Sequence, residues 1–101
     1  MIFVAYFFSS IFFVNGIPHF VQGVSGNSFQ SPFASPPGIG KSSPVVNVLW
    51  GAFNLFIACA LFSYAGFFDL GFNMPSFSFV AGGLSVALIL AFHFGKVRRV
   101  E

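Results

Sequence analysis

Residues 24–44 read "VSGNSFQSPFASPPGIGKSSP", and the number of membrane crossings turns on them. Pro32, Pro36 and Pro37 each remove a backbone donor and interrupt a helix. Gly, Ser and Pro dominate the rest of the stretch. In hydrocarbon a segment must satisfy its own backbone groups, so this one is no spanning helix. It still carries Phe29, Phe33 and Ile39, which a purely flexible linker has no need of. The expectation is a structured loop that folds back on its neighbours or lies among lipid headgroups. A disordered polar linker is the simpler alternative that its composition allows.

The sequence on either side is oily. Of 101 residues, 56% are hydrophobic and 6% charged, and Phe alone contributes 18. Soluble domains average about 25% charged residues, so four basic and two acidic side chains cannot cover a surface in water. Uncharged runs span 1–40, 42–68 and 70–95. Each exceeds the roughly 20 residues that cross a bilayer core about 30 Å thick. The opening "MIFVAYFF" lacks the positive region of a cleaved signal peptide, so the first run reads as a retained helix.

The predicted fold is an all-α membrane protein, a single domain over 1–101, with spans at about 2–22, 45–67 and 77–95 and the loop 24–44 between the first two. Pro18 lies inside the first span and predicts a kink or a helix end near Asn15–Gly16. The second begins at Ser43-Pro44, an N-cap residue followed by proline at the first helical position. "KVRRVE" ends the third. Three crossings place the 24–44 loop and the C-terminus on one side, together with Lys41, Lys96, Arg98 and Arg99. Basic residues flank spans on the cytoplasmic face. The predicted orientation is therefore N-terminus outside, with the loop and C-terminus in the cytoplasm.

That topology gathers polar side chains from separate spans into one layer. Asn15, His19 and Gln22 follow one helix face at spacings of four and three. Asn47, Trp50 and Asn54 do the same at three and four. His93 sits just inside the matching end of the third span. Polar side chains within membranes face the bundle interior or a wet cavity and mark candidate sites. These seven residues are the candidate ligand-binding set. The competing reading is that they only bridge helices by hydrogen bonds, each about 0.6 kcal/mol and up to about 2. Gly83, Ala87, Ala91 and Gly95 form a small-residue face on the third span for close helix packing, within the chain or between copies.

Catalytic parts are scarce. Asp69 falls at the opposite side and Glu101 at the terminus, so no acid–base pair or nucleophilic triad assembles. "GIGKSS" lacks a phosphate loop's first glycine, because Ser35 stands there. The four basic residues are too few for nucleic acid, and the lone Cys59 forms no internal disulfide. His19 and His93 are the only histidines. They leave open a bis-histidine haem; otherwise no cofactor and no metal site is expected.

The elements Asn15-x-x-Pro18-His19-Phe20, Ser31-Pro32-Phe33-Ala34 and Asn47-Val48-Leu49-Trp50-Gly51 together resemble a pattern in small multi-pass bacterial membrane proteins of uncharacterised function. The likeness covers about residues 15–55. It implies a bacterial inner-membrane location and one structural unit from the end of the first span to the start of the second. It implies no activity.

Three functions follow as expectations. The first is a non-enzymatic accessory or assembly subunit, or a self-associating bundle, with the bilayer and a homo-oligomer or larger membrane complex as partners. The second is a binding protein for a lipid, quinone or haem at the polar layer. The third is an oligomeric transporter or channel, which the lack of charge within the spans disfavours.

Overall fold

The computed structural model describes residues 1–98. Arg99 and Glu101, which belong to the basic tail discussed above, lie outside the described residues. Three helices, α1 (Ile2–Val24), α2 (Pro44–Ala65) and α3 (Met74–Arg98), are each long and apolar enough to cross a membrane. The long axis of 42 Å exceeds the roughly 30 Å hydrocarbon core, leaving both ends in the interfacial region.

The helix limits follow from local chemistry. Ser43 Oγ accepts the Val46 N–H at 3.2 Å, and Pro44 opens α2. Gly66, at φ 92°, ends α2 two residues earlier than the hydrophobic run suggests; an L side chain is disfavoured in that conformation. Asn73 Oδ1 accepts the Ser76 N–H at 2.9 Å, which starts α3 at Met74, ahead of the predicted residue 77. Helix α1 runs unbroken through Pro18, so the helix end considered near Asn15–Gly16 does not occur. The proline removes a single backbone hydrogen bond, while the packing of α1 against both other helices is continuous along its length.

Segment 25–43 forms a small hairpin. β1 (Phe29–Gln30) pairs antiparallel with β2 (Lys41–Ser42), Phe29 opposite Ser42 and Gln30 opposite Lys41. Inside it, Gly38 N–H donates to Ser31 O at 2.8 Å and Gly40 N–H to Pro36 O at 2.8 Å. The Ser35–Pro36 peptide bond is cis. The hairpin lies across the end of the bundle where α1 and α3 finish and α2 begins.

Helix α1 is the centre of the molecule and packs on both α2 and α3, which barely meet each other. Its approach to α2 is set by glycine. A Cβ on Gly51 would sit 2.6 Å from Phe20 N, one on Gly16 would sit 2.9 Å from Gly51 O, and one on Gly23 would sit 2.6 Å from Pro44 O. Towards α3, a Cβ on Gly82 would collide with the Phe7 carbonyl and one on Gly83 with Ser10 Oγ. Small residues at such contacts bring backbones together where hydrocarbon provides no hydrophobic drive. Of the predicted small-residue face, Gly83 is buried against α1, and Ala87 and Ala91 line a groove between α1 and α3. Gly95 faces open space and packs on nothing among the described residues. Gly82, next to Gly83, makes the close approach to α1 instead.

The interior is small and polar, and the outside is oily. The largest fully buried side chains are Gln30, Asn47, Asn54, Ser9, Ser10 and Ser31, whereas Phe67 and Phe72 are almost wholly exposed. At the end of the bundle away from the hairpin, the Tyr6 hydroxyl donates to the Gly66 carbonyl at 2.6 Å, and in mid-bundle Ser9 Oγ donates to Ala58 O at 2.7 Å. Both bonds tie α1 to α2.

Candidate functional site

The hairpin is held by one side chain. Asn47, on the first turns of α2, has no exposed surface. Its Nδ2 lies 3.1 Å from each of the carbonyl oxygens of Phe29, Ser42 and Ser43. A carbonyl oxygen only accepts, so the amide must turn its NH₂ towards them. Its Oδ1 then faces α1, where His19 Nδ1 lies at 2.9 Å. That oxygen has no proton to give, so His19 Nδ1 carries one and donates it. In the neutral ring the other nitrogen, Nε2, is a lone-pair acceptor.

Deeper in the bundle the motif repeats more simply. Asn15 Nδ2 donates to Asn54 Oδ1 at 3.0 Å, and Asn54 Nδ2 donates to Trp50 O at 2.8 Å. Helix spacing explains both pairs. Asn15 and His19 share the α2-facing side of α1, and Asn47 and Asn54 lie two turns apart on the α1-facing side of α2.

The third helix reaches the same place from behind. His93 Nε2 lies 2.7 Å from the Gly38 carbonyl, and therefore donates to it. Arg98 Nη1 donates to Gln30 Oε1 at 3.2 Å while its guanidinium lies 5.2 Å from the centre of the Phe29 ring. Phe94 packs on Phe29, with ring centres 4.8 Å apart. Thus α3, which hardly touches α2, is joined to it through the hairpin.

Between these parts lies a cavity of about 200 Å³ lined by polar Asn15, His19, Gln30, Ser31 and His93, and by Trp50 among the larger rings. Six of the seven residues selected from sequence are at or around it: Asn15, His19, Trp50 and His93 line it, and Asn47 and Asn54 hold its walls. Gln22 is not part of it. Its Oε1 accepts from Asn27 Nδ2 at 3.0 Å and closes the turn after α1. The sequence does not single out Gln30, Ser31 and Gly38, because their roles depend on how the hairpin folds. The apolar Phe29 and Phe33 flanking Gln30 and Ser31 were the available signal that this stretch is anchored.

Two groups at the cavity lack partners. His19 Nε2 has no hydrogen bond among the described residues, although the residue is 3% exposed. Trp50 Nε1 is the one buried side-chain nitrogen or oxygen without a partner among those residues. A buried donor left unpaired costs about 1–3 kcal/mol. The Trp50 ring also walls a larger apolar groove of about 430 Å³ with Phe33, Val46, Leu49 and Phe53. On the opposite side, Leu90 and Phe94 separate the cavity from the groove between α1 and α3.

The paired histidines do not suit haem. His93 Nε2 is engaged by the Gly38 carbonyl, and the 200 Å³ cavity falls below even the lower end, about 300 Å³, of ordinary small-molecule sites. Among the described residues no three His, Cys, Asp or Glu side chains cluster to hold a metal ion. Comparison of the chain with protein families, curated proteins and solved structures finds no match.

Asn47→Ala tests the clamp. It removes the side-chain donor from the Phe29, Ser42 and Ser43 carbonyls, of which Ser43 keeps the backbone N–H of residue 47, and deprives His19 of its acceptor, an expected loss of about 2–4 kcal/mol from unpaired buried groups. Hydrogen exchange should show the Gly38 and Gly40 amides losing protection while the middle of α2 keeps it. Unchanged protection in the hairpin would remove Asn47 from this role.

Proposed function

We propose that this chain is a non-catalytic multi-pass protein of the bacterial inner membrane that holds a small hydrophobic molecule by its polar head at the hairpin end. One observation supports this above the others: a cavity bounded by His19 and Trp50, whose Nε2 and indole N–H have no partner among the described residues, adjoins an open apolar groove. Ligand sites combine an apolar lining with a few placed polar groups. The cavity has room for a head group and the groove for a chain. Helix bridging accounts for Asn15, Asn47 and Asn54, whose amides are bonded within the protein, but not for these two atoms.

The N-terminus lies outside and the hairpin end in the cytoplasm. Lys41, Lys96 and Arg98 at that end support this orientation, with Asp69 the one charged side chain at the other, beside the N-terminus. In a Cys59→Ala background, cysteines placed at Lys41 and Asp69 should react with impermeant reagents from the inner and outer faces respectively. Labelling of the Lys41 site from outside would reverse the orientation.

A second reading, an accessory or assembly subunit within a homo-oligomer or larger complex, draws on α3. That helix buries little beyond Ser76, Gly82 and Gly83 and leaves Leu84, Leu88, Ile89 and Phe92 bare. Native mass spectrometry from mild detergent separates the readings. A retained small molecule, released with roughly tenfold greater ease from Trp50→Phe, which lacks the N–H, supports binding. A ligand-free assembly of several chains supports the subunit role and contradicts the binding reading.

A further inference from the structure

We infer that the head group accepted at this site is a hydroxyl, so that the site takes an alcohol, phenol or quinol amphiphile and discriminates against the corresponding ether or quinone. The inference rests on the binding reading above and names its ligand chemistry.

Asn47 is held in a single orientation. Three carbonyl oxygens around Nδ2 fix the amide, the amide oxygen fixes the proton of His19 on Nδ1, and the neutral ring therefore offers a lone pair on Nε2. A ligand meeting that atom must donate. Trp50, with its ring centre 6.3 Å from that of His19, carries a nitrogen that only donates. An oxygen serving both must donate and accept. A hydroxyl does both, a carbonyl or ether oxygen only accepts, and an ammonium only donates.

The other polar groups around the cavity have partners of their own: Ser31 Oγ pairs with Ser42 Oγ at 2.5 Å, and Gln30 Oε1 accepts from Arg98. Asn15 donates to Asn54, and His93 Nε2 donates to Gly38 O. Among the described residues, no Asp, Glu, Lys or Arg side chain lines the cavity. A charged head group therefore has no counter-ion there, and a neutral one fits. The neighbouring groove is walled almost entirely by carbon: Phe33, Val46, Leu49, Phe53 and the Trp50 ring. An alkyl chain or apolar ring placed there exchanges one hydrocarbon setting for another, so the hydroxyl provides the selectivity.

Trp50 is the single tryptophan of the chain, so its fluorescence reports on the site directly. The probes are 4-octylphenol and its methyl ether, 4-octylanisole, titrated into the full chain in lipid nanodiscs, with affinities expressed as mole fractions in the bilayer. The phenol should change the emission and bind about tenfold or more tightly than the ether, the discrimination expected when a buried acceptor is left unpaired. In nitrogen NMR of ring-labelled histidine, His19 Nε2 should be unprotonated without ligand and should shift with the phenol but not with the ether. His19→Phe should abolish the preference, and the nitrogen spectrum of unaltered protein keeps the test decisive where that variant fails to fold. Equal binding of both probes, or a protonated Nε2, overturns the hydroxyl assignment and leaves the binding reading in place. Binding of neither probe overturns both.

Discussion

A primary amide in oil must find partners, and Asn47 finds them in three segments of the chain at once. The side chain has no exposed surface. Its NH₂ donates to carbonyls of β1 and of the β2–α2 junction, and its oxygen accepts from His19 of α1. In water each such bond contributes little net, because the solvent competes. In a hydrocarbon layer the alternative is an unpaired dipole. One residue thus sets the position of the hairpin, the rotation of α1 against α2 and the proton position on His19. The cavity is what remains between the parts so positioned.

The remainder of the architecture follows the same logic of small and polar inside. Helix α1 approaches α2 through Gly16, Gly23 and Gly51, and approaches α3 through Gly82 and Gly83. Those contacts work by letting backbones come close, since burying an apolar side chain against another gains little over burying it in lipid. Phenylalanine accordingly lies mostly on the outside. The exceptions are informative: Phe29 is buried at 4% exposure, under Phe94 and the Arg98 guanidinium. There it anchors the hairpin to α3. The two outer helices are linked through that hairpin more than through each other.

The sequence reveals the helices because hydropathy and length are properties of single segments. Its helical spacing also reveals which polar residues share a face, so Asn15, His19, Asn47 and Asn54 could be grouped without a structure. Other features depend on relations between segments. A ladder of two residues per strand has no periodicity to detect, so Gln30 and Ser31 carried no mark of their burial. Gln22 has the right spacing but lies at the last turn of α1, where Asn27 is nearer than the cavity. Gly95 continues the small-residue repeat of α3 past the point where α1 can reach it. Pro18 signals a break, yet the helix continues, because one missing backbone bond is a small loss beside contacts on two sides.

The most direct test of this account is a double-mutant cycle on His19 and Asn47, using His19→Leu, Asn47→Leu and the double variant, with unfolding free energies measured in bicelles. Replacing both partners by apolar groups should cost less than the sum of the single replacements, with a coupling of about 1 kcal/mol or more. Effects that add to within about 0.5 kcal/mol would contradict it, showing that the two side chains do not act as one hydrogen-bonded unit.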